Sequence, residues 1–292
     1  MTTALLFVAV GLTVGLLSGL VGIGGGVLMV PFLYFFYDRP DLFGVVVSPE
    51  SRVALAHGTS LMVIVPTSIR GTLAFQRAKL VEWRAVWPIG AASVLAAFAG
   101  ARLAVVLPPE ALKTAFGVLL IFSGARLMTP RRAAEPGAKS REPNFSALRT
   151  VFTGVLVGLL SALLGVGGGT VAIPLLIYLM KLDIRKVAAT SIGIIALTAS
   201  AGTIGYVLSG LGQPGLPPWS LGYVDVSAGI AMFVGALVSV RWGATLNQRL
   251  RPRTLSLLFG ALFILVGLRL AGGNLISLLR DAGAATGIGL LG

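Results

Sequence analysis

Apolar positions fall into eight long blocks, at roughly 4–37, 53–75, 85–106, 111–128, 149–180, 186–210, 223–246 and 254–272, with short polar breaks between them. A membrane-spanning helix needs ~20 mainly apolar residues, and the blocks are of that order. The pattern therefore predicts an all-α polytopic membrane protein. The break after the fourth block, TPRRAAEPGAKSREPN at 129–144, is rich in Pro, Gly and charge and reads as a linker between halves. Blocks one and five are too long for one span. Residues 4–37 carry no charge, and as one straight helix they would run ~50 Å at about 1.5 Å per residue, against a hydrocarbon core of ~30 Å. Each also holds a glycine cluster, GIGGG at 22–26 and GVGGG at 165–169. Successive glycines break a helix, each costing up to about 1 kcal/mol relative to alanine. Each long block is thus expected as two helical pieces, about 4–20 and 27–37, then 149–164 and 170–180.

The two halves resemble each other. GLLSGLVGIGGGVLMVP (15–31) returns as GLLSALLGVGGGTVAIP (158–174), an offset of 143. HGTSL at 57–61 matches ATSI at 189–192, and RGTLAF at 70–75 matches AGTIGY at 201–206, now at offset 131. LKTAFGVLLIFSGARL (112–127) then matches LSLLFGALFILVGLRL (255–270), back at 143. The first half carries its 12 extra residues between blocks one and two, the second half between blocks six and seven. A four-block module has been duplicated, as in many transporters. The expected division is a first repeat at 1–128, a basic linker at 129–147, a second repeat at 148–272 and a tail at 273–292.

Loop charge distinguishes two topologies. If every block crosses once, Lys and Arg divide about equally between the two sides. If blocks one and five are re-entrant hairpins, three spans remain per half. Seventeen Lys and Arg, including the cluster from Arg126 to Arg149, then lie on one side, and six, including Arg39, Arg52 and Arg280, lie on the other. The hairpin arrangement is expected for that reason. It makes the repeats inverted, with both termini outside and the 129–147 linker cytoplasmic.

Composition agrees with a lipid solvent: 56% of residues are hydrophobic, only 11% are charged, and mean hydropathy is +0.94. The net charge of +13 would suggest nucleic acid in a soluble protein. Here the basic residues sit between apolar runs, where they set topology and meet anionic lipid, so no nucleic-acid partner is expected. There is no cysteine, which excludes disulfides and thiolate chemistry. The first basic residue is Arg39, so the N-terminal stretch lacks the basic start of a secretory signal peptide and reads as the first membrane segment.

Four features could carry chemistry. Gly24, Gly25 and Gly26 precede a half-helix containing Pro31, and Gly167, Gly168 and Gly169 precede one containing Pro174. A half-helix N-terminus presents unpaired N–H donors and roughly +0.5 of an elementary charge. Two such ends meeting near the midplane would bind an anion; glycine used only for close helix packing is the plainer alternative. His57, the only histidine, sits in an apolar run, as a proton carrier or as a neutral ring bonded to backbone. Thr59 and Ser60, with their matches Thr190 and Ser191, could donate to an oxyanion or bond back to their own helices. Arg70, opposite Ala201 in the other repeat, could attract an anion or extend to the interface. No carboxylate lies in the middle of a block, and Asp225 comes nearest. HExxH, GxxxxGK[ST] and GxSxG are all missing. No enzyme chemistry, metal or cofactor is expected.

The repeated G-L-L-S-x-L-x-G-[IV]-G-G-G-x-x-x-[IV]-P, the T-S and G-T elements after it, and the closing F-G-x-L-x-[IL] helix resemble the sulfite exporter TauE/SafE family across about 4–272. The resemblance implies a cytoplasmic-membrane permease for small sulfur-containing anions such as sulfite or a short organosulfonate. The residues themselves add the expectation of alternating access by rocking of the inverted repeats, with the glycine ends and the hydroxyls of Thr59, Ser60, Thr190 and Ser191 holding the anion. Ala162 in place of the first repeat's Gly19, and Ala188 in place of His57, set the two halves apart. A non-transporting scaffold that docks a partner through the basic 126–149 linker is the alternative from another class. Glycine-rich faces suit internal packing or a homodimer equally.

Overall fold

The computed structural model describes residues 2–21, 25–77, 79–129, 146–182, 184–249, 257 and 260–272, and these are helical with short connections. The helices are α1 (Thr2–Val21), α2 (Gly26–Tyr37), α3 (Pro40–Phe43), α4 (Arg52–Arg77), α5 (Trp83–Val106), α6 (Pro109–Met128), α7 (Ala147–Leu164), α8 (Gly169–Tyr178), α9 (Ile184–Ser209), α10 (Val226–Arg249) and α11 (Gly260–Gly272). Among the described residues, α4, α5, α7 and α9 are long and apolar enough to cross a membrane. Large apolar side chains such as Leu95, Val106 and Leu148 stand at least three-quarters exposed. Water would penalise such a surface, and lipid does not. The chain is a multi-pass membrane protein.

Both long blocks are interrupted where the glycines fall. Block five ends its first helix at Gly165, whose φ of +66° is a left-handed C-cap. There the Val166 N–H reaches back to the Ser161 carbonyl at 3.2 Å, the long bond that closes many helix ends. Gly168 (φ +85°) then starts α8. In block one, α2 starts at Gly26, and α1 ends at Val21. With 12 and 10 residues, α2 and α8 are about 18 and 15 Å long, near half the hydrocarbon core.

Packing divides the chain into two compact units, each drawing on both halves of the sequence: Met1–Val106 with Arg132–Leu250, and Leu107–Arg131 with Arg251–Gly292. In the first unit, paired contacts give the helix directions. Gly71 lies against Ile192 and Gly202 against Leu61, so α4 and α9 are antiparallel. Gly11 meets Met232 and Gly15 meets Ala236, so α1 runs parallel to α10. In the same way Gly154 meets Ile89 and Gly158 meets Ser93, so α7 runs parallel to α5. These two interfaces use residues matched at offset 143. Helix α4 runs with α10, since Gly58 abuts Tyr223 and Gly229 abuts Met62. Helix α2 runs against α4: Gly26 touches Ile64, Tyr34 bonds His57, and Asp38 pairs with Arg52 at 3.3 Å. Thus α1 and α2 are antiparallel about the first glycine cluster. On the other side, α9 runs with α5 and therefore with α7, because Gly90 meets Leu197 and Gly205 meets Ala101. With Gly167 against Ile195 and only 179–183 joining α8 to α9, α8 folds back along α9.

In the second unit α6 and α11 are antiparallel, Gly117 facing Gly267 and Gly124 facing Gly260. Residues 130–145 of the linker and the tail 273–292 lie outside the described residues.

Candidate functional site

The two interrupted segments meet. A Cβ on Gly26 would fall 2.7 Å from the Val166 carbonyl oxygen and 2.7 Å from Ile64 Cδ1, and one on Gly167 would fall 3.0 Å from the same Ile64 methyl. Only glycine permits backbone from both breaks to close around one α4 side chain. The carbonyl of Gly168 accepts the N–H of Val171 and of Ala172 at 3.1 and 2.7 Å, so it starts the helix. The N–H groups of Gly169 and Thr170 lie ahead of any i−4 partner within α8, as at every helix start. Ser161 on α7 packs beside Gly168 and is 1% exposed; its hydroxyl has no partner, and neither do those of Thr170 and Ser191. Buried hydroxyls without protein partners are uncommon, and each is a donor open to another group. Gly25 is buried at the start of α2, its carbonyl accepting the N–H of Met29 at 3.1 Å. Gly24 lies outside the described residues.

The other expected hydroxyls are engaged. Ser60 donates to the Gly165 carbonyl at 2.9 Å, holding the α7 end to α4. Thr59 accepts the backbone N–H of Asp225 at 2.9 Å, and its match Thr190 accepts that of Glu82 at 3.2 Å. Glu82 and Asp225 are themselves matched at offset 143, so each threonine fixes the start of the third helix in one half. Arg70 is exposed, six residues beyond Ile64 and therefore about 9 Å further along α4. The structure does not bring it to the place where the breaks meet.

His57 is fully buried between two tyrosines. Tyr206 gives its hydroxyl proton to the Ala162 carbonyl (2.9 Å), so the His57 Nδ1–H donates to Tyr206 at 3.2 Å. The Nε2 atom then accepts the Tyr34 hydroxyl. This pattern assigns a neutral ring with both nitrogens satisfied. It ties α2 through α4 and α9 to the last turn of α7, and so joins the two interrupted segments a second time. Gly165 packs on the imidazole, where a Cβ would come within 2.7 Å of His57 Cα.

Tyr34, Tyr206, Ser161 and Asp225 were not apparent from apolar periodicity. Ser161 had a visible signal, because the serine of the repeated GLLS precedes each glycine cluster. Tyr34 and Tyr206 had none, since each reads as part of an apolar run. Among the described residues no group of His, Asp and Glu is arranged to hold a metal.

The sulfite exporter TauE/SafE family model matches residues 7–270. A probable membrane transporter protein of Methanocaldococcus jannaschii is 31% identical over 264 residues, covering 90% of this chain and 93% of that protein. Probable membrane transporter proteins of Bacillus subtilis and Haemophilus influenzae are 27% and 29% identical, each covering 91% of this chain and 96% of their own length. No solved structure matches. The family model and these relatives each span about nine-tenths of the chain, so the protein is a membrane transporter: it belongs to the sulfite exporter TauE/SafE family.

Proposed function

We propose that the protein is a secondary transporter that carries a small sulfur-containing oxyanion, such as sulfite or a short organosulfonate, across the cytoplasmic membrane by alternating access. The observation that supports this most is the meeting of the two glycine breaks beside the start of α8, where the hydroxyls of Ser161 and Thr170 are buried and unpartnered. An oxyanion there would accept from the free N–H groups of Gly169 and Thr170 and from those hydroxyls. Charge-assisted bonds of this kind are about twice as strong as neutral ones. Gly24, Gly25 and Gly26 would supply the opposing end. Thr59, Ser60 and Thr190 would serve this site indirectly, by fixing the helices around it.

The antiparallel course of the matched helices α4 and α9, and the matched contacts of α1 with α10 and α7 with α5, support inverted repeats that rock about the site. Loop charge supports external termini and a cytoplasmic linker. His57 is suited to proton coupling because a proton on Nε2 would require Tyr34 to turn its hydroxyl away, linking protonation to the position of α2.

The test is anion-dependent stabilisation of the purified protein. Sulfite or sulfoacetate should raise the melting temperature, and Gly168→Val should abolish the rise, since Gly168 stands at φ +85° with Val157 Cγ1 3.0 Å from an added Cβ. Equal melting temperatures with and without sulfite, sulfoacetate, thiosulfate and sulfate would remove the basis for an oxyanion site.

A further inference from the structure

The matched carboxylates Glu82 and Asp225 occupy the same position in the two halves but have different partners. Glu82, ahead of α5, receives Lys186 of α9 at 2.9 Å. The residue matched to Lys186 at offset 131 is Leu55, fully buried and uncharged. Asp225, ahead of α10, is 3% exposed and has no paired cation among the described residues. Its Oδ1 accepts the Ala228 N–H (2.9 Å) and the Ser227 hydroxyl (2.7 Å), both belonging to α10 and moving with it. Its Oδ2 accepts the hydroxyl of Tyr37, the last residue of the α2 half-helix, at 3.1 Å. The match to Tyr37 is Met180, which has no hydroxyl. One half therefore locks its carboxylate with a lysine, and the other leaves it dependent on a donor carried by an interrupted helix.

We propose that Asp225 takes up and releases a coupling proton in the transport cycle, doing so as α2 carries Tyr37 away from it and back. This rests on the reading that the protein works by alternating access. A buried carboxylate is tolerated as an anion while donors surround it; when one leaves and no cation replaces it, the neutral acid is favoured. The proton adds to Oδ2 from the water at the α10 N-terminal side and leaves from it when Tyr37 returns. No bond between heavy atoms changes. The groups around Asp225 are few. Helix α2 brings Tyr37, with Tyr34 one turn back, and Asp38, which is paired with Arg52. Helix α4 brings Thr59 and, half a turn earlier, His57; α9 brings Tyr206; the preceding loop brings Tyr223. Helix α1, along α10, has no charged residue. Tyr34 and Tyr37 tie His57 and Asp225 to the same half-helix, so both groups sense its position.

The experiment uses full-length protein in proteoliposomes, with sulfite and sulfoacetate as probes. Exchange without a gradient is measured beside uptake driven by a pH gradient. Asp225→Asn keeps the oxygen that caps α10 and turns an NH2 group towards Tyr37, whose hydroxyl oxygen can accept from it. It should retain exchange within about twofold and lose the acceleration by the pH gradient, whereas Glu82→Gln should keep that acceleration. Tyr37→Phe removes the donor, so the pH profile of driven uptake should move to higher pH. If Asp225→Asn also loses exchange, that profile decides, and an unshifted profile overturns the proposal. An Asp225→Asn protein that follows the gradient as wild type does, or a wild type that exchanges anions without responding to pH, overturns it too. Absence of exchange of either probe by wild-type protein would count instead against the transporter reading.

Discussion

At the residue scale the buried ring of His57 shows how one side chain can hold an interrupted helix in place. Both nitrogens are bonded, and the partners lie on α2 and α9. His57→Phe would keep the ring volume and remove both bonds, leaving the Tyr34 hydroxyl without its acceptor at this site. A buried group stripped of a partner costs about 1–3 kcal/mol. SDS-induced unfolding of the purified protein should show a loss of that size, and an unchanged unfolding midpoint would mean that the bonds contribute nothing net. Ser161→Ala is the opposite kind of change, since its hydroxyl has no partner in the structure. Stability should stay within about 0.5 kcal/mol, as for changes that break no named interaction. Sulfite-dependent stabilisation should weaken, and calorimetric titration of sulfite would measure the drop. A stability loss without any change in anion binding would assign Ser161 to packing.

At the element scale the helix breaks were legible from sequence and the helix directions were not. Glycine interrupts a helix locally, so GVGGG alone predicted pieces ending at 164 and resuming at 170, against the observed Leu164 and Gly169. The end of α8 was less legible: apolar residues continue to 180, but the helix stops at Tyr178. Whether α1 and α2 are collinear is a tertiary fact. It depends on Gly11 meeting Met232, more than two hundred residues away, and on Tyr34 reaching His57. The roles of the hydroxyls were hidden for the same reason, because Thr59 and Thr190 look alike in sequence as donors and act as acceptors for N–H groups far along the chain. The paired interfaces make a prediction of their own. Gly158 sits so close to Ser93 that a Cβ would lie 2.8 Å from its Cα. Gly158→Leu should therefore force α7 off α5 at a cost of about 1–3 kcal/mol or more, as overpacking does. Gly15→Leu should do the same between α1 and α10. Similar losses in detergent stability would fit matched interfaces, and tolerance at either position would show that its helix can shift without cost.

At the scale of the whole molecule, the direction of the first two helices determines where the ends of the chain lie. If α1 and α2 form a hairpin that enters and leaves on one side, each half crosses three times, and the N-terminus lies opposite the linker. If each block crosses once, each half crosses four times, and the N-terminus and the linker share a side. Only the first arrangement divides the basic residues as seventeen and six, and a strong excess of Lys and Arg marks the cytoplasmic side. The chain suits a direct test, because it has no cysteine and single cysteines can be added without a background. Thr3→Cys and Ala138→Cys proteins in intact cells would be treated with a membrane-impermeant maleimide. Thr3→Cys should react at once, and Ala138→Cys only after the membrane is permeabilised. Labelling of both before permeabilisation, or of neither, would mean four crossings per half. The two glycine segments would then pass straight through the membrane, against the antiparallel course of α1 and α2 seen in the structure, and the half-helix ends would not face each other.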